Sequence, residues 1–150
     1  MTPRSKHGRR GSAMAELVVA TPLLLMVLIG LVEAGRAGDF AIRVASAARA
    51  GVQYGSQNLV TALDNTGMQS AATTDAASSA VTAVASHFCK CADGSTSASC
   101  LPSFCSATHQ IVYVQVITSG TIPSLFNYAP LPASLRTISI TGKAIMRVGP

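Results

Sequence analysis

Apolar residues are spread unevenly along this chain. From Leu17 to Val32 they run without a charge, interrupted only by Thr21, Pro22 and Gly30. As an α-helix that run is about 24 Å long, and counting from Ser12 lengthens it to about 31 Å, which matches a bilayer's hydrocarbon core. A transmembrane helix is therefore expected over residues 12–33. Beyond it the apolar pattern narrows to small residues: Ala37, Ala41, Val44, Ala48, Val52 and Gly55 step by four and three, which is a helical period. Glu33/Arg36, Arg36/Asp39 and Asp39/Arg43 add opposite-charge pairs at helical spacing, each worth a few tenths of a kcal/mol. Arg49 lies off that row. A stem helix is predicted over 34–65, closed by a turn at Asp64-Asn65-Thr66-Gly67.

The remainder, residues 66–150, reads as a small head. A weaker helical pattern spans about Ser70–Phe88, with Ala77, Val81, Val84 and Phe88 on one side. Ile111–Thr118 is rich in β-branched residues on both faces and predicts a strand covered at least partly on each. Leu135–Val148 alternates, with Ile138, Ile140, Ala144, Met146 and Val148 opposite Thr137, Ser139, Thr141, Lys143 and Arg147. The Pro-containing segment Gly120–Pro132 between them reads as an irregular connection. Two strands alone would be marginal, so the stem helix is expected to cover their apolar face, with a third short strand sought in 100–110 or 120–130. The fold class is α+β: a long transmembrane and stem helix, a second helix, a Cys-bearing loop (89–105) and a small antiparallel sheet.

Charge changes the picture mainly by its position. The formal net charge is +5, from 11 cations and 6 acids. Four of the cations (Arg4, Lys6, Arg9, Arg10) precede Gly11 and no acid does, so the chain after Gly11 carries a net charge of only +1. A nucleic-acid binder needs its basic patch on the folded part, so nucleic acid is not an expected partner. The basic leader instead places the N-terminus in the cytoplasm and everything after Val32 outside. Charged residues make up 11% of the chain, against roughly 25% in an average soluble domain. Such a surface suits a subunit packed against other subunits.

Within the leader and span, Glu16 is a lone carboxylate at the membrane rim, where a charge is costly. A secretory signal peptide would be cut after its apolar core; here the plausible cut precedes it, at Gly11–Ser12, leaving the helix in the mature chain. Cleavage would create an α-ammonium on Ser12 about one turn from Glu16. That ammonium, or the one on a neighbouring subunit, could neutralise the carboxylate. Gly11, having no side chain, suits an extended scissile segment. Pro22 removes one helical hydrogen bond, and Gly30, Ala34 and Gly38 form a small-residue stripe on which another helix could pack.

These residues carry a resemblance. Gly11-Ser-Ala-Met-Ala-Glu16 before a long apolar helix looks like a class III type IV prepilin signal. The longer string runs from Arg10-Gly11 through Pro22-Leu-Leu-Leu, Gly30, Glu33-x-x-Arg36 and Ala48-Arg49-Ala50-Gly51, and it resembles the TadE-like family. These are minor pilins (pseudopilins) of the tight-adherence, or Flp/Tad, pilus system. The resemblance covers about residues 8–55, and the C-terminal part fits only loosely. It implies cleavage after Gly11 by a prepilin peptidase, a role for Glu16 in assembly, and as partners the inner membrane, other pilin subunits and the pilus assembly platform. The major pilins of that system are usually much shorter and carry Tyr after the Glu. Here Leu17 stands in that place and about 95 residues follow Tyr54, which points to the minor-pilin branch.

Cys89, Cys91, Cys100 and Cys105 lie on the outer side of the predicted membrane and read as two disulfides. Cys89 and Cys91 are too close to bridge each other, so each pairs with Cys100 or Cys105, nested or crossed. A zinc site drawing on His87 or His109 is the alternative, although C-x-C is not the usual zinc knuckle spacing. A redox pair would call for C-x-x-C, which is absent. No nucleophile triad, paired carboxylates or phosphate-binding Gly loop is present, so neither enzymatic activity, nor a small-molecule substrate, nor a cofactor, nor a metal is expected. The other functional reading is an uncleaved single-pass anchor that scaffolds an envelope or secretion complex.

Overall fold

The computed structural model describes residues 8–97, 100, 105, 109–125, 132 and 136–149; for 8–13, 96 and 97 it describes the backbone alone. The leader residues Arg4, Lys6 and His7 lie outside the described residues. The chain divides into two units, Met1–Ala37 and Gly38–Pro150.

Helix α1 spans Gly8–Gly55 and belongs to both units. In the first unit every Leu, Val, Ile and Met from Met14 to Val32 is exposed. At about 1.5–3 kcal/mol for burying each such side chain, this surface is incompatible with water as its final surroundings. The helix is long and apolar enough to cross a membrane. Pro22 sits inside it, and the preceding Thr21 turns its hydroxyl inward, donating to the Leu17 carbonyl at 2.6 Å. Near the end of the first unit Arg36 bonds Glu33 at 3.2 Å.

The second unit is one antiparallel sheet with helices on one face. Its order is β2-β1-β3-β4, built from β1 (Val81–Cys91), β2 (Thr96–Ser97), β3 (Gln110–Pro123) and β4 (Thr137–Arg147). β1 pairs with β3 from Val81↔Gly120 to Cys91↔Gln110, and β3 with β4 from Tyr113↔Arg147 to Pro123↔Thr137. β2 extends β1 only at Cys89 and Lys90. β4 closes the other side of the sheet.

The inward face carries Val81 and Ala85 from β1 and Val114, Val116 and Thr118 from β3, all buried. Over it lie the Phe40–Gly55 part of α1, α2 (Leu59–Leu63) and α3 (Asn65–Ala76). Met68, Val52, Val114 and Val116 form the centre of one cluster; Phe40, Val44, Ala47, Ala76 and Val81 form a second. Small residues on α1 make this packing possible. A Cβ on Gly51 would come within 2.9 Å of the Met68 carbonyl and 3.0 Å of Val116, and one on Gly55 would collide with the Met68 sulfur. Where α1 crosses the strands, the buried Thr118 hydroxyl donates to the Val44 carbonyl at 2.7 Å. Gly142 leaves the space for that bond. The stem helix thus covers the sheet, as the alternation in β4 predicts.

Several boundaries differ from expectation. α1 ends at Gly55 rather than running to residue 65, because Asn58 starts a new helix: its side chain accepts from the Thr61 N–H at 2.9 Å while its own N–H donates to the Thr61 hydroxyl at 3.1 Å. Asp64-Asn65-Thr66-Gly67 does not close the stem. Asp64 caps α3 by accepting from the Gly67 N–H at 2.8 Å. The second helix occupies 65–76 instead of 70–88, and it stops at Ala77 in the left-handed region (φ 47°).

From Val81 onward the chain is a strand, β1, which with β2 joins the two expected strands; of the stretches where a third was sought, 101–104, 106–108 and 126–130 lie outside the described residues. The spacing of Ala77, Val81, Val84 and Phe88 imitates a helix. The inward positions Val81, Ala83 and Ala85 are small, so their alternation with Thr82, Val84 and Ser86 barely registers in hydropathy. β3 also runs through to Pro123, using residues assigned to the irregular connection; of that connection, 126–131 lie outside the described residues.

Candidate functional site

Gly11 and Ser12 lie in the helical backbone of α1, and the extended conformation expected at Gly11 is not adopted. Opening it is cheap, since Gly inside a helix costs about 0.5–1 kcal/mol relative to Ala. Ser12 and Glu16 are four residues apart on this helix, hence on one face and about 6 Å apart along the axis. An α-ammonium created at Ser12 therefore falls within reach of the Glu16 carboxylate. Farther along, a Cβ added at Gly30 or Gly38 meets nothing within 4 Å. With Ala34 these positions leave an open strip on α1.

The cysteines form a second constellation. Cys89 bonds Cys100 and Cys91 bonds Cys105, with Cα separations of 5.3 and 5.6 Å. The pairing is crossed. β1 turns Cys89 and Cys91 to the same inward face, where they are 2% and 6% exposed. With all four sulfurs consumed there is no thiolate to hold zinc. His87 sits half-buried on that face opposite Val114, and His109 is exposed just before β3. Among the described residues no group of His, Cys, Asp or Glu is arranged to hold a metal.

Between Cys91 and β2 the chain turns through Gly94, whose φ of +88° is readily open only to glycine, and whose N–H bonds the Cys91 carbonyl at 2.9 Å. Asp93 in this turn is held below the usual carboxylate range, first by the Ser95 hydroxyl at 2.6 Å and then by the Ser95 N–H at 2.9 Å.

Two features of the head were not anticipated. One is a shallow groove of about 550 Å³ between α1 and α3, lined by Ala50, Tyr54, Gly67, Ala71, Thr74 and Asp75. Beside it the Tyr54 hydroxyl donates to Asp64 at 2.9 Å, and the Ser46 hydroxyl donates to Asp75 at 2.8 Å. The Gly67 N–H and then the Tyr54 hydroxyl depress the Asp64 pKa, and the same carboxylate raises that of Tyr54. The other is the sheet's outward face, where Phe88 and Tyr113 stack at 5.4 Å. Only the position of Asp64 ahead of a helical segment could have pointed to the first. The second needs the register of β1.

Among the described residues one helix is long and apolar enough to cross a membrane, and the second unit is a disulfide-bonded α+β domain. Residues 11–53 match the family model described as TadE-like protein. The TadE-like family is associated with the tight-adherence pilus system. The match takes in Gly11, Ser12, Glu16, the apolar run and most of α1, and it leaves the sheet and both disulfides outside. No curated protein and no solved structure gives a significant match.

Proposed function

We propose that this chain is a minor pilin of a tight-adherence pilus. It is inserted in the inner membrane with its N-terminus in the cytoplasm and its head outside. A prepilin peptidase cuts it after Gly11, and it then joins other pilin subunits at the assembly platform through α1. The observation that carries this reading is the Gly11-Ser12…Glu16 spacing at the head of a helix whose apolar side chains are all exposed, inside the family match. Once cut, the chain presents a cation and an anion one turn apart. Pairing them between neighbouring subunits would fix axial register, because a slipped helix leaves a charge unpaired in an apolar setting.

N-terminal sequencing of the chain isolated from membranes tests the cut. A mature chain beginning at Ser12 is expected, Gly11→Ile should retain Met1, and Glu16→Ala should be cut normally but incorporated poorly. Normal fibres from a strain carrying both changes would refute the reading. The uncleaved scaffold remains the second reading because the backbone is helical through Gly8–Gly11, where the cut bond lies. Recovery of only the full-length chain where pili are being made would favour it.

A further inference from the structure

On the outward face of the sheet, register places three rows of side chains side by side. Val84, Ile117 and Lys143 form the first; Ser86, Gln115 and Ile145 the second; Phe88, Tyr113 and Arg147 the third. Val84 is 64% exposed and Ile145 47%, and no described residue covers them. The Phe88–Tyr113 stack closes one end, with the Lys90 ammonium 6.0 Å from the Phe88 ring centre. Every charge on this face is positive: Lys90, Lys143 and Arg147.

The opposite, helical side of the head carries Asp39, Asp64 and Asp75. Asp39 is engaged with Arg43 at 2.9 Å, and Arg49 adds a cation on α1. Asp64 and Asp75 are exposed and lie just before and near the end of α3, beside the groove. Eleven residues of helix separate them by about 16 Å. Lys143 and Arg147, four residues apart on a strand, are about 13 Å apart, a mismatch their long side chains can span. Asp75 accepts the Ser46 hydroxyl and Asp64 that of Tyr54, and both carboxylates remain exposed beside the groove.

The geometry points to a head-to-tail contact between copies of this chain, in which the outward sheet face of one head seats on the α1/α3 groove of the next. The two surfaces differ, so the contact is open-ended and propagates along a row. The three rows span only about 10 Å by 13 Å, far short of the roughly 800 Å² per partner of a stable interface. Isolated heads will therefore not associate durably. Copies held in one membrane by α1 have the effective concentration that a weak contact requires. The contact does not depend on leader removal, so it can fail while the pilin reading stands, and the reverse.

The test uses the full chain in membranes, with and without Gly11→Ile, carrying Val84→Cys on the sheet face and Ser70→Cys in the wall of the groove, and treated with a short bis-maleimide. Mass analysis confirms that the native bridges are intact. A series of cross-linked oligomers is expected from the double variant and none from either single variant. Lys143→Asp/Arg147→Asp should lower the yield at least fivefold, and adding Asp75→Lys should recover a good part of it. A dimer from Val84→Cys alone would mean that sheet faces meet each other, and overturns the assignment. So does an undiminished series in Lys143→Asp/Arg147→Asp. A loss that Asp75→Lys does not reverse also overturns it, and is the result a face resting on acidic lipid would give.

Discussion

Removing one disulfide should cost the head much of its stability without unmaking its sheet. The bridged residues are 11 and 14 apart in sequence. Loop-closure entropy gives about 2.8 kcal/mol for the first bridge taken alone and about 3.0 kcal/mol for the second. The loops overlap between Cys91 and Cys100, so each bridge closes a ring the other has already shortened, and removing one costs about 2–3 kcal/mol. At roughly 4 °C or more per kcal/mol for a domain near 100 residues, Cys89→Ala/Cys100→Ala should lower the head's Tm by about 8–12 °C or more.

Heat unfolding of the detergent-solubilised full chain reads this, with alkylation and mass analysis reporting the thiols. Cys89→Ala/Cys100→Ala should leave Cys91–Cys105 closed and nothing alkylated. Cys89→Ala/Cys105→Ala strands Cys91 and Cys100 and should fall further in Tm. Equal Tm values for the two variants, or free thiols in the first, would refute the crossed pairing and the entropy reasoning with it.

Three further outcomes follow from contacts in the head and from the leader. Gly142→Ala should destabilise by about 1–3 kcal/mol through crowding of Thr118 and the Val44 carbonyl, each 2.9 Å from the new Cβ. That outweighs the ~0.4–1 kcal/mol gained from a stiffer unfolded chain; faster amide exchange in β3 would show it, and slower exchange would contradict it. The Asp64 carboxylate is depressed in the fold, so its stabilisation is complete above its unfolded value near pH 4 and disappears as pH falls through the lower folded value. Asp64→Asn keeps a capping side chain but should flatten the acid limb of a stability-versus-pH curve below about pH 4, and an unchanged limb would count against it. Finally, Gly11→Ile should retain Met1 while Glu16→Ala does not, as read by intact mass.

How much of this could be read from sequence depended on how strongly each segment declares its period. The membrane helix announces itself through 16 residues without charge, and β4 through an alternation of apolar and polar side chains broken only at Gly142 and Ile145. β1 was hidden because its inward residues are largely small, and because Ala77, Val81, Val84 and Phe88 fall at helical intervals. Its identity is settled by eleven paired positions along β3, a nonlocal fact. The break after Gly55 turned on a cap, Asn58 with Thr61, that looks like ordinary polar chain until its hydrogen bonds are seen. The cysteines were legible as partners, and their spacing fits nested and crossed bridges alike, so the choice between them waited on the three-dimensional pairing. For the groove, α1 and α3 had first to be separate helices.

Strand β4 ends the sheet, and no described residue hydrogen-bonds to its far side. Among the described residues nothing pairs with this edge of an eleven-residue strand, and an open strand edge is a template for amyloid-like stacking. Lys143 and Arg147 stand along that rim as gatekeepers, making each would-be intruder of like charge repel the next. Replacing them with aliphatic residues would trade solubility for stickiness at that edge.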